Sequence, residues 1–264
     1  MSLARPDPLR GCASTPFFLL AIWIGTLNVG PHAVAAGEGS PASKSRTWRY
    51  QVHYLGMGVG ELTVTVSDTV VVNGKRARAV RITMNTGRLA STVFAVQNSY
   101  IAVYFPENRH LHAVTKRIHQ RNLTGEWEIH YAERQAKLIR PAQSSTPQEW
   151  AVSSPCLDVV SLLDLLVNIR HPDTSFTVAI DQEAVPMEAQ VRVFRDHERS
   201  YALAVFRPAG PSRRTWKTDL LTSRFSRAGA RLEVYFDARR PDLPRTIRYS
   251  LGTSMATAEW VERD

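Results

Sequence analysis

Several residues in this 264-residue chain are of types that do chemistry. Gly56-Met57-Gly58-Val59-Gly60 has the look of a phosphate-cradling loop. A dinucleotide loop, however, needs a third glycine where Glu61 stands and a helix where the sequence continues with alternating strand residues. Glycines at every second position instead bare one face of a strand and permit the bulge that curls a sheet. His110 and His112 fall on one strand face with His119 and His130 further along, a zinc-like supply of imidazole that lacks a Cys, Asp or Glu at ligand spacing. Cys156 and Ser161 are candidate nucleophiles, but neither sits in a nucleophile-elbow context, and a small thiol on an apolar helix reads as packing. Glu126 with Glu128, and Asp158 with Asp164, are carboxylate pairs of the kind that share acid and base roles. The first pair has the period of a solvated strand face.

The elements that must hold these residues are mostly strands. Trp48, Tyr50, Val52 and Tyr54 alternate with Arg49, Gln51 and His53, and Leu62, Val64 and Val66 alternate with Glu61, Thr63 and Thr65. Asn73-Gly74 between two such runs predicts a two-residue hairpin. Further strands are expected over 100–105, 111–120, 126–132, 135–140, 175–180, 187–195, 199–207, 231–238, 244–251 and 255–262. One segment breaks the pattern. "SSPCLDVVSLLDLLVNIRHP" predicts a helix capped by Ser154, with Pro155 at its first position, Asp158 in its first turn and Pro172 closing it. Its polar stripe is narrow, so it must be covered nearly all round. The expected fold is mainly β, a curled antiparallel sheet wrapped around one apolar helix. Aromatics such as Trp48, Tyr50, Tyr54, Phe94, Tyr100, Tyr104 and Trp127 are spread over the strands, to pack that helix or line an apolar pocket. Basic residues of opposite parity, including Arg49, Arg81, Arg117, Arg192 and Arg248, are expected to face outward.

Residues 1–36 read as a secretory signal peptide: Arg5 and Arg10, the apolar stretch from Pro16 to Val29, then Ala33-Val34-Ala35-Ala36. The apolar run is broken by Gly25, Asn28, Gly30 and Pro31, short of the ~20 residues that a membrane span requires. Residues 37–46 follow as a polar linker, and 47–264 as a single β-rich domain. Cleavage would remove Arg5, Arg10 and Asp7, moving the formal charge from +9 to +8 and leaving Cys156 as the lone cysteine. An intramolecular disulfide is then excluded, and a basic exported protein favours anionic envelope partners over nucleic acid.

Taken together, "YQVHYLGMGVGELTVTVSD", "SSPCLDVVSLLDLL" and "RLEVYFDARRPDLPRTIRYSLGTSMATAEW" resemble the bacterial exported proteins grouped as domain of unknown function 3108, over roughly Trp48 to Trp260. The resemblance rests on Gly56 to Gly60 after the first strand, Asp158 and Ser161 at the helix entry, and Asp237, Arg239, Arg240, Leu243, Pro244, Gly252 and Glu259 in the tail. It departs at Arg170, twelve residues beyond Asp158, and at "RDHERS" in place of a glycine-rich turn. The resemblance implies an exported envelope protein with a half-barrel similar to that of periplasmic lipoprotein carriers, and it assigns no catalytic residue or cofactor. The expected function is non-enzymatic periplasmic binding of an acyl chain or lipidated partner. The expected ligand residues are Trp48, Tyr50, Tyr54, Gly58, Asp158 and Ser161. The rival readings are an assembly factor docking on an envelope protein or anionic polymer, and a hydrolase. An apolar cavity of ~300 Å³ or more would favour the carrier; convergent ionisable groups in a cleft would favour the enzyme.

Overall fold

The computed structural model describes residues 45–139, 148–169, 174–195, 200–237, 239–240 and 243–261. The signal peptide, most of the linker, the helix-closing Pro172, Arg170, residues 196–199 of "RDHERS" and the strand ends at Arg140, Arg199, Ala238 and Glu262 lie outside these residues. In chain order the elements are β1 (Ser45–Tyr54), β2 (Met57–Val72), β3 (Lys75–Thr86), α1 (Arg88–Ser91), β4 (Gln97–Phe105), β5 (His110–Gln120), β6 (Leu123–Ala132), β7 (Gln135–Ile139), β8 (Gln148–Ala151), α2 (Val159–Asn168), β9 (Ser175–Asp181), β10 (Pro186–Arg195), β11 (Ser200–Pro208), α3 (Leu220–Phe225), β12 (Arg231–Phe236), β13 (Pro244–Leu251) and β14 (Ser254–Trp260).

All the strands join one large antiparallel sheet in the order β8-β7-β6-β5-β4-β3-β2-β1-β14-β13-β12-β11-β10-β9. The fold is therefore mainly β, and the sheet is not closed: its two end strands, β8 and β9, flank α2 in sequence but do not pair. The first and last strands meet in the middle of the order, where β1 pairs with β14 from Tyr50↔Trp260 to Tyr54↔Ala256. Tight hairpins join several of the sheet's neighbouring strands. Asn73 and Gly74 both take positive φ, as a type I′ turn demands, and Leu55-Gly56 forms the β1–β2 turn in the same way.

The glycine run turns out to be a bulge and a close approach. Val52 pairs with Gly60 and His53 with Gly58, so Val59 is the extra residue on β2. A Cβ on Gly60 would lie 2.1 Å from the Asn85 carbonyl oxygen, which only glycine allows.

α2 carries eight buried residues and contacts β3, β4 and β11. Its expected cap at Ser154 is corrected. The N-cap is Asp158, whose carboxylate accepts from the Ser161 amide at 2.8 Å, while the Ser161 hydroxyl receives the Asp158 amide at 3.0 Å. That reciprocal box satisfies two amides, which a Ser154 start could not do because the residue three places on is Leu157, with no side-chain acceptor. The approach to the helix is held from both sides. Leu157 bridges to Ile180 of β9, and the Cys156 carbonyl accepts from the Leu111 amide at 2.9 Å. Asp164, in the middle of α2, accepts from Arg78 of β3 at 3.0 Å and from the Tyr104 hydroxyl of β4.

Candidate functional site

Two interior features could carry function, and both are built around short α3. The first is an apolar cavity of about 120 Å³, bounded by Val159 and Leu163 of α2, Leu221 and Phe225 of α3, and side chains of β1, β2, β3, β12, β13 and β14. No polar atom faces the space. Its depth follows strand position. Ile82, Ile247 and Ala258 are buried, whereas Val52, Leu62, Met84, Tyr249 and Ala256, each nearer the end of its strand, are half-buried. The mouth therefore opens at the rim formed by the β1–β2 and β13–β14 turns and the β3–β4 connection.

The second feature is a buried ionic network that fixes α3 in place. Lys116 is only 5% exposed, yet its ammonium lies 2.6 Å from Glu183, 3.1 Å from Asp219 and 2.5 Å from the Thr222 hydroxyl. Asp219 is the N-cap of α3, accepting from the Thr222 amide at 3.0 Å and from the Tyr100 hydroxyl at 2.8 Å. Glu183, in the β9–β10 turn, also accepts from Thr218 at 2.6 Å and Trp216 at 3.3 Å. Burial opposes charge on Lys116, but the two carboxylates win and hold its pKa above the usual lysine range. Burial likewise opposes charge on Asp219, and the Lys116 cation with the Thr222 amide overcomes it and keeps that carboxyl below its ordinary value. Beside the network, Asp181 accepts from Tyr131 at 2.9 Å and Trp150 at 3.1 Å; burial dominates there and raises its pKa to about 7. A space of about 10 Å³ adjoins Lys116, Asp158, Asp181 and Gln182, enough for a single water. Ionisable groups thus converge, but in a packed interior where their oxygens and nitrogens bond one another. The network's structural effect is to pin the 216–222 segment, and with it Leu221 and Phe225, as one wall of the cavity.

The six residues singled out in the sequence are distributed otherwise. Trp48 and Tyr50 are buried, and the Tyr50 hydroxyl donates to the Pro244 carbonyl at 2.8 Å. Tyr54 is half-buried and Gly58 is exposed beside Gln51 and His53. Asp158 and Ser161 cap α2 by bonding each other. None of the six lines the apolar cavity.

His110 and His112 are half-buried, which lowers both pKa values, and among the described residues no three His, Cys, Asp or Glu side chains converge as metal ligands would. Arg49, Arg81, Arg117 and Arg192 face solvent as expected, and Arg248 is half-buried. Phe94 is exposed rather than inward, and Tyr201 stacks outside the core between Phe194 and Tyr235. On the outer face an open groove of about 580 Å³ runs across β3 to β6, lined by polar side chains including Asn85, Gln97, Arg117 and His119.

Sequence reasoning missed α3 and Lys116. The signal for Lys116 was present: it occupies the inward parity of β5 between Val114 and Ile118. A lysine at such a position needs buried counter-charges.

No family model matches the sequence, and no curated protein matches it. Among solved structures the chain is similar to a beta-barrel-like protein of domain of unknown function 1849 from Brucella abortus, at 7% identity and a TM-score of 0.48, over 83% of this chain and 96% of that one.

Proposed function

We propose that this chain is a non-enzymatic, exported cell-envelope protein of the kind its sequence resembles. In this reading its sheet curls as a half-barrel around α2, and the cavity between α2, α3 and the sheet receives the end of an acyl chain. The observation that supports this is the cavity's composition: an interior space without a polar atom on its wall, half-open at one rim. Its volume sets the size of the occupant. About 120 Å³ falls short of the ~300 Å³ of a pocket that engulfs a whole ligand, and it resembles the ~150 Å³ apolar void that admits benzene. The terminal carbons of one chain fit, while the rest of the lipid stays at the mouth.

The rival reading, an assembly factor docking on an envelope protein or anionic polymer, draws on the outer groove lined by Arg117, His119 and Glu126, where Arg117 pairs with Glu126 at 2.9 Å. Native mass spectrometry of protein purified from the membrane fraction separates the two. An acyl-sized adduct on the wild type, lost in Ala256→Phe because the added ring fills the mouth, supports the cavity reading. A clean apo mass for the wild type contradicts it.

A further inference from the structure

The rim around the cavity mouth carries a second feature. Leu89 is 89% exposed and Val93 73%, and Leu55, Met57, Phe94 and Met255 are exposed as well. These side chains come from separate connections, yet they share one rim. The Leu55 amide donates to the Met255 carbonyl at 3.3 Å, and the Gly87 amide, at the start of the β3–β4 connection, donates to Val59 of β2 at 2.9 Å. The strands they link, β13-β14-β1-β2-β3-β4, are consecutive neighbours in the sheet. The turn chemistry sharpens the point. At the opposite end of the sheet, the β2–β3 hairpin uses Asn73 at a positive φ of 50°, as the backbone prefers. The β1–β2 hairpin has the same φ of 50° at Leu55, where an exposed leucine has no local packing reason to stand.

We propose that this rim docks on the surface of a lipid bilayer containing anionic lipids, inserting Leu55, Met57, Leu89, Val93, Phe94 and Met255. The form of the patch selects a bilayer over a protein. A protein partner fits a continuous, well-packed face, whereas these apolar tips project singly from short turns and a ten-residue connection, a form that a fluid interface accommodates. Charge selects anionic lipid. The rim segments 55–56, 87–96, 226–230 and 252–253 contain Arg88 and Arg227, both exposed, and no Asp or Glu. A cation near such a surface adds to apolar insertion. Docking in this orientation would turn the cavity mouth, at Val52, Met84 and Tyr249, toward the lipid. The inference deepens the proposed function, because it supplies the route by which a chain end reaches the cavity.

The test uses the full chain carrying Cys12→Ser, with Val93→Cys labelled by a polarity-sensitive dye, and Val71→Cys as the control at the opposite end of the sheet. Vesicles of phosphatidylcholine with and without phosphatidylglycerol are titrated in. The expected result is a blue-shifted, brightened signal at position 93 with the anionic vesicles and none at position 71. Leu89→Asp with Phe94→Asp, both on exposed side chains, should weaken this response by tenfold or more, on the order of what one exposed leucine gains by burial. Equal responses at 71 and 93, a response abolished by salt but indifferent to the double change, or a vesicle-free change at 93 that grows with protein concentration and marks a second copy, would each overturn it. A dye response at 93 without an acyl adduct in the mass spectrum, or an adduct without a dye response, separates failure of the cavity reading from failure of rim docking.

Discussion

Lys116→Met tests whether the buried network fixes α3. The substitution removes a cation that is 5% exposed and leaves Glu183 and Asp219 facing each other inside the fold. Breaking a buried ion pair by deleting one partner costs about 3–5 kcal/mol. The lower half of that range applies here, because Thr218 and Trp216 still donate to Glu183, and Tyr100 and the Thr222 amide to Asp219. With a urea dependence of ~2–3 kcal/mol/M, the unfolding midpoint at pH 7 should fall by about 1 M or more. The deficit should also depend on pH. In the wild type the folded pKa of Asp219 lies below its ordinary 3.8, so its stabilisation is complete above that value and is lost as pH falls through the lower folded pKa. In the variant no cation opposes burial, protonation relieves the penalty, and the gap between the two proteins should narrow from pH 7 toward pH 4. A midpoint change of less than about 0.3 M at pH 7, with no pH dependence, would show that the network is hydrated and does not hold α3.

Three further outcomes follow from other residues. Asp181 has a folded pKa of about 7 against an ordinary 3.8, so its ionisation costs stability as pH rises between those values, by at most about 4 kcal/mol. Urea midpoints of Asp181→Asn measured from pH 4 to pH 8 should therefore gain on the wild type with rising pH, and parallel curves would contradict this. Gly60→Ala, whose Cβ would meet the Asn85 carbonyl at 2.1 Å, should lower stability by about 1–3 kcal/mol or more, read by thermal unfolding; an unchanged Tm would refute the close approach. Cys156 is buried, and burial pushes its pKa up to about 12, so in a Cys12→Ser chain a thiol reagent should label it only after denaturation.

The strands were legible because inward and outward residues alternate along them. The pattern of buried Val64 and Val66, Tyr100, Ala102 and Tyr104, and Ala202, Ala204 and Phe206 is the parity the sequence displays. The Asn73-Gly74 turn was legible for its backbone chemistry alone. α3 was not, because six residues give too few turns for a helical period to show, and the Asp219 cap has meaning only beside Lys116, 103 positions away. The helix start was misplaced because Ser154-Pro155 satisfies the local rules for a cap. The Asp158 and Ser161 pair satisfies them better, and only burial shows that both members are needed. The residues that line the cavity escaped for a related reason. Its lining, mostly Val, Leu, Ile and Ala with Met84, Phe225 and Tyr249, is the composition of any core, and the space between them is a property of how α2, α3 and the sheet are spaced. The aromatic and polar residues that stand out in the sequence, Trp48, Tyr50 and Asp158, are fully engaged in packing and capping.

Methyl-resolved NMR during titration with a medium-chain fatty acid tests the cavity most directly. Saturable shifts confined to cavity-lining methyl groups such as those of Leu62, Ile82, Leu163, Leu232 and Ile247, with Leu111 and Leu138 unmoved, are the expected result. Shifts absent at saturating ligand, or spread evenly over the core, would contradict the assignment of this space to an acyl chain.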